Sequence, residues 1–125
     1  MNNLKNYTED LIKTTKLIDL GLVNKIKKLI IKKILLKKKI FTCGNGGAAS
    51  VANHFLCDFN KGIKISSQYK IKPQTISLSN NIETILAISN DLNFNDIFKF
   101  QLDNYCSSGD LLITFSCSGS SKNII

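Results

Sequence analysis

Three short strand-like segments, separated by stretches of helical period, constrain this 125-residue chain more than any other feature. They are "IFTC" (40–43), "QTISLS" (74–79) and "LLITF" (111–115). Such strand–helix–strand–helix–strand alternation predicts an α/β fold, with a parallel sheet, right-handed crossovers and helices on both faces. "LLITF" is apolar throughout, as expected of a strand buried on both faces. The length suits one domain with a real core.

The intervening stretches set the expected helices. Leu4, Tyr7, Leu11, Ile18, Leu22, Ile26, Leu29 and Ile30 recur at three- and four-residue steps among lysines, which predicts two helices over 3–19 and 22–38, broken at Gly21. This arm needs an apolar partner, either its own sheet or another subunit. A helix is expected over 48–60 with Val51, Phe55 and Phe59 on one side, stopped by Gly62 and followed by a polar connection. Asn80 with Glu83 reads as a capping box for a helix to Ser89. Asn93 and Asp96 open another, with Phe94, Ile97, Phe98 and Leu102 inward, and "KNII" begins a last one.

Charge is unevenly placed. Residues 1–39 hold 11 Lys against 3 acids, whereas residues 40–125 hold 6 of each, so the whole net charge of +8 precedes the first glycine turn. There is no Arg, the usual bidentate reader of phosphates and bases. Nucleic acid is therefore not expected as a partner, and the lysines read as a solvated helix face. No apolar run approaches the roughly 18–20 residues of a membrane span. The opening "MNNLKNYTED" is unlike a signal peptide. Cys43, Cys57, Cys106 and Cys117 lack CxxC spacing, so free thiols are expected over a disulfide or a zinc site.

Parallel sheets hold ligands at the C-terminal ends of their strands. Two of the three predicted strands end there in small polar residues, "GNGG" (44–47) and "SCSGSS" (116–121). Gly44, Gly46 and Gly47 permit close backbone approach and lead into a helix N-terminus, which suits an anion or a sugar hydroxyl. A purely structural turn is the alternative. Ser116, Ser118, Ser120 and Ser121 place hydroxyls where they can converge on one phosphate, the alternative being a solvated loop with Ser120 or Ser121 as helix cap. His54, the single histidine, and Asp58 are four apart and share a helix face. Such a pair suits either a divalent metal or proton transfer during enolisation of a sugar.

"CGNGGAASVANHFLCDF", "SNDLNFNDIF" and "GDLLITFSCSGSSKNII" together resemble the sugar isomerase (SIS) domain, in particular its sedoheptulose 7-phosphate isomerase (phosphoheptose isomerase) branch. The resemblance runs from about Leu22 to Ile125. It implies a three-layer, flavodoxin-like parallel sheet over 40–125, a partial SIS domain, preceded by an N-terminal helical arm over 1–39 for packing or oligomerisation. It implies that Asn45, Gly46, Gly47, Asn90 and Asp91 contact substrate, and that Ser116, Cys117, Ser118 and Ser121 hold its phosphate. His54 takes the place of a metal-binding histidine, and Asp58 that of a catalytic, metal-binding glutamate. Enzymes of this kind interconvert a ketose and an aldose phosphate through an enediol, often with zinc, as cytoplasmic homotetramers. A non-catalytic branch that binds phosphosugars as regulators, or serves as a scaffold, is the alternative.

Departures from that pattern bear on activity. Ala48 stands where the family usually has serine, Cys117 replaces a threonine, and Asp58 is one methylene shorter than the usual glutamate. Family members also continue with further strand–helix units that carry a Gln and a His of the metal and acid–base set. The expectation is a truncated domain of impaired activity. In flavodoxin-like strand order, Leu111–Phe115 becomes a bare edge.

Overall fold

The computed structural model describes residues 2–125. Strands β1 (Lys39–Gly44), β2 (Gln74–Ser77) and β3 (Leu111–Phe115) form one parallel sheet in the order β2-β1-β3. Register pairs Phe41 with Ile76 and Leu112, and Gly44 with Phe115. The central strand is therefore the buried one: Ile40, Phe41, Thr42 and Cys43 are all sealed from solvent. Full burial of an aliphatic or aromatic side chain contributes about 1.5–3 kcal/mol.

Strand alternation sends neighbouring residues to opposite faces, and each face has its own helices. On one face, Thr42 Oγ1 donates to Ala52 O at 3.1 Å, which seats helix α3 (Gly47–Cys57) on β1. On the other, Phe41 and Cys43 pack with Leu78, Ile88, Ile97 and Phe98, the last three from α5 (Ile82–Asp91) and α6 (Ile97–Tyr105); Leu78 follows β2 directly. Helix, sheet and helix make the three expected layers. Inside the second layer Gln101, 4% exposed, donates its amide to Leu78 O and Ile97 O, so its burial leaves no donor wasted.

Several local expectations are corrected. The arm folds as α1 (Asn2–Lys16) and α2 (Leu20–Leu35), and the break falls before Gly21. Asp19 caps α2 by accepting Leu22 N–H at 3.0 Å, and an N-cap carboxylate outweighs the weak tendency of one glycine to interrupt a helix. Gly62 does not stop the third helix. A wide π-helical segment, Asp58–Ile63, and a short α4 (Lys64–Ser66) continue it, with Phe59 stacked on Phe55 at 3.9 Å between ring centres and, with Ile63, facing α2 across an apolar groove. Gln68 and Tyr69, both at positive φ, end that run. The buried face of α3 is Ala48 and Ala52, while Val51 is half exposed, so only small side chains fit against the sheet.

Asn81, not Asn80, caps α5, accepting Thr84 N–H at 2.9 Å. Ser79 is still held at the sheet tip by bonds to Gly44, which delays the helix by one residue. Asn93 does open the next turn, Phe94–Asp96, but Phe94 stays half exposed instead of facing inward. "KNII" forms a single turn, with Ile124 N–H and Ile125 N–H both donating to Ser121 O. β3 is not buried on both faces. It is the bare edge that flavodoxin-like order implies, and α5 and α6 leave Leu112 41% exposed.

The basic arm has local work. The ammonium groups of Lys33, Lys38 and Lys39 donate to the carbonyls of Gly109, Ser108 and Tyr105, tying the start of β1 to the turn that leads into β3. Asp110 completes this joint by accepting the N–H groups of Lys39 and Ser107, each at 2.9 Å. Desolvation pushes its carboxyl up, but those two N–H donors and the charges of Lys39 and Lys38 outweigh it and hold the pKa below the usual aspartate value. A lowered pKa stabilises the folded state above the unfolded value of about 3.9, and that contribution is lost as pH falls through the folded value. Asp110→Asn is therefore expected to lower the urea midpoint at pH 7, with the deficit shrinking below about pH 4. A deficit that is constant with pH would remove the carboxylate from the joint. Elsewhere, α1 packs its apolar residues on nothing described, with Leu4 74% and Tyr7 65% exposed. No described helix is long and apolar enough to cross a membrane.

Candidate functional site at the strand tips

The C-terminal ends of β1 and β3 lie side by side, since Gly44 pairs with Phe115. The chain leaves β1 through Gly46, whose φ of +52° and ψ of −123° is backbone that glycine alone adopts readily. α3 then starts at Gly47, and its first bonds run from Ala48 N–H to Asn45 O and from Ala49 N–H to Gly46 O. The N–H groups of Gly46 and Gly47 precede those bonds and are not spent on the helix. With the positive end of the helix behind them, they form an anion-binding edge.

The loop after β3 is built to present hydroxyl protons. Ser116 Oγ accepts Gly119 N–H at 3.0 Å and Ser118 Oγ accepts Ser120 N–H at 3.3 Å. A hydroxyl that accepts from its own loop keeps its single proton free to donate outward. Gly119, at φ +65°, turns the chain so that the Ser118 and Ser121 hydroxyls hydrogen-bond to each other at 3.4 Å, one donating and the other accepting, which leaves one proton of the two free. Between this loop and the glycine turn lies a hollow of about 230 Å³, lined by residues of both. Asn45, Gly47, Ala48, Ser116, Cys117, Ser118 and Ser121 are in its wall, with Phe115 as floor. That is below the roughly 300–1,000 Å³ of a pocket enclosing a drug-sized molecule, and suits the phosphate end of a longer ligand.

Most of the sequence-derived site thus converges, and some of it does not. His54 Nε2 and Asp58 Oδ2 lie 3.4 Å apart on the helix face where their spacing puts them. Neither lines the hollow, and both side chains are open to water. As metal donors they fit in kind, imidazole and carboxylate, but they are two where a tetrahedral zinc takes four ligands, and no group of three or more His, Cys, Asp or Glu is clustered among the described residues. Asn90 donates to Asp91 Oδ1 at 2.8 Å at the exposed end of α5, also outside the hollow's wall. All four cysteines are free. Burial pushes the Cys43 thiol up to about 11, which keeps it inert, while Cys117 is an exposed wall residue.

Three contributors escaped the sequence reading. Ser79 Oγ both donates to Gly44 O and accepts from Gly44 N–H, so it fixes the last residue of β1. Phe115 meets Phe55 of α3 at 5.9 Å between ring centres, which floors the hollow with apolar surface. Asn123 and Asn45 exchange two amide hydrogen bonds, at 2.8 and 2.9 Å, across 78 residues of sequence. Ser79 and Phe115, each the last residue of a predicted strand, carried a signal in advance; Asn123 carried none.

Known proteins agree with this geometry. Residues 4–125 match the family model described as the SIS domain. The chain is similar to the phosphoheptose isomerases of Campylobacter concisus, at 37% identity over 70% of this chain and 45% of that protein, and Shewanella denitrificans, at 36% over 82% and 51%. It spans about half the length of these curated relatives. Among solved structures, the phosphoheptose isomerase of Neisseria gonorrhoeae superposes with a TM-score of 0.82 at 25% identity, covering 98% of this chain and 64% of that one. One from Francisella tularensis shares the fold, with a TM-score of 0.84 at 24% identity. The family match runs over nearly the whole chain and the fold is shared with solved members: the chain belongs to the SIS domain family.

Proposed function

We propose that the hollow binds the phosphate of a sugar phosphate, and that the chain serves an aldose–ketose isomerisation between sedoheptulose 7-phosphate and a heptose 7-phosphate. The observation that carries this is that the glycine turn, through Gly47 and its unspent N–H, and the serine loop, through Ser116, Ser118 and Ser121, line one small hollow. Similarity to proteins named phosphoheptose isomerase supports the substrate class. Cytoplasmic location and homotetramer formation belong to the same reading, with the exposed apolar side of α1 as the surface that other copies would cover.

In the proposed reaction Asp58 takes a proton from the carbon beside the ketose carbonyl, giving an enediol, and a proton returns to the neighbouring carbon. Ketose and aldose interchange with no atom gained or lost. His54 Nε2 and Asp58 Oδ2 are the donors that would hold zinc. When bound, zinc polarises the sugar carbonyl. The serine loop fixes the phosphate and so the distance from it to the reacting carbons.

The exposure of the acid–base pair favours a second reading. His54 and Asp58 side chains are 78% and 63% exposed, and a water-filled setting weakens both positioning and electrostatics. Ala48 and Cys117 also offer fewer good donors than serine and threonine. On that reading the chain is impaired in turnover, or is a phosphosugar-binding regulator or scaffold. Thermal shift with sedoheptulose 7-phosphate is expected to raise Tm, and Ser118→Ala is expected to reduce the shift, since it removes one donor in a set worth about 1.5–3 kcal/mol each to a charged group. No shift in either protein removes the hollow from phosphate binding. A shift without turnover, indifferent to added zinc, selects the second reading.

A further inference from the structure

We infer that Asn123 is a positioning residue, which sets the width of the hollow by latching the glycine turn to the serine loop through the side chain of Asn45. The inference rests on the phosphosugar reading of that hollow. Asn45 Nδ2 donates to Asn123 Oδ1 at 2.8 Å, and Asn123 Nδ2 donates back to Asn45 Oδ1 at 2.9 Å. Both side chains are partly buried, so water competes with the pair less than it would on an open surface.

Each end of the latch is itself anchored. Asn45 directly follows the last residue of β1, whose backbone is held by Ser79. Asn123 sits in the turn closed by Ile124 N–H and Ile125 N–H on Ser121 O, and Ile124 packs against the central core. The serine loop, residues 116–121, is thereby pinned by β3 on one side and by the Ile124 anchor on the other. Within 116–125, Asn123 is the only described residue whose side chain bonds to a side chain of the glycine turn.

A consequence follows for what touches the ligand. With its side-chain O and one of its two N–H protons engaged by Asn123, Asn45 works as a strut, and the backbone donor that the turn leaves free at the hollow is the N–H of Gly47. Losing either amide frees the two walls of the hollow to separate, and a phosphate can then reach one wall at full strength but not both.

The test is a cycle of Asn45→Ala, Asn123→Ala and the double variant in the 125-residue chain. Calorimetric titration uses inorganic phosphate and sedoheptulose 7-phosphate as probes, and the side-chain amide resonances of Asn45 are followed by NMR in the wild type and in Asn123→Ala. Each single variant is expected to weaken the sugar phosphate about tenfold, with the double no weaker than either, because both singles break the same pair. The Asn45 amide protons are expected to shift and to exchange faster in Asn123→Ala. Unchanged affinity in Asn123→Ala, or losses that multiply to about a hundredfold in the double, overturns the latch. Should the wild type bind neither probe, the phosphosugar reading fails by itself. The latch is then decided by the resonances alone, and Asn45 signals that ignore Asn123→Ala sink it.

Discussion

Gly44→Ala is expected to lower the stability of this protein by about 3 kcal/mol, enough to consume a large part of the 5–15 kcal/mol that holds a domain of this size together. A Cβ at Gly44 would meet the backbone C and O of Ala48 at 2.6 Å each and the Ala48 Cβ at 3.0 Å. Ordinary contact begins near 3.4 Å, so the first turn of α3 must move by most of an ångström. It cannot tilt freely, because Thr42 holds Ala52 one turn further on and Ser79 holds Gly44 itself. The measurement is the urea midpoint at constant slope. Gly47→Ala is the control, since nothing lies within 4 Å of its added Cβ, and a neutral or slightly higher midpoint is expected there. Equal midpoints for Gly44→Ala and wild type would mean that the helix does not rest on the strand tip as closely as described. Loss of sugar-phosphate binding should accompany the loss of stability, because the same displaced turn forms one wall of the hollow.

Asp58→Asn is expected to cut any isomerase turnover by at least about a hundredfold while leaving the fold intact. The amide keeps the shape of the side chain but cannot accept a proton. Stability should change by less than about 0.5 kcal/mol, because the side chain is 63% exposed and its contact with His54 is a surface one. Separate effects on rate and on Tm therefore distinguish a catalytic loss from unfolding. The assay is conversion of sedoheptulose 7-phosphate by wild type and variant with and without zinc. A variant that turns over at the wild-type rate takes Asp58 out of the mechanism. An inactive wild type that still shifts in Tm with the sugar phosphate leaves the binding reading standing.

How much of this was legible beforehand can be judged from particular residues. The strands "IFTC" and "LLITF" lie within one residue of where the apolar runs put them, and their tips converge as the glycine and serine clusters implied. Helix ends were less legible. Gly21 and Gly62 looked like breaks, yet Asp19 caps one helix earlier and the other runs on through a π-helical segment in which Phe59 stacks on Phe55. A glycine costs a helix only about 1 kcal/mol, which a cap or a stacked aromatic pair can offset. The helical period put Val51, Phe55 and Phe59 on one side of α3, and spacing alone did not say that Ala48 and Ala52 are the pair sealed against the sheet.

The amino-acid sequence alone settled the class of fold and the two polar loops at the strand ends, because local period and glycine or serine content act over a few residues. Tertiary structure decided the rest: that the first strand lies between the other two, that Asn45 meets Asn123, and that Ser79 holds Gly44. Those pairings depend on which strands become neighbours, and no run of adjacent residues encodes the distance between side chains far apart in the chain.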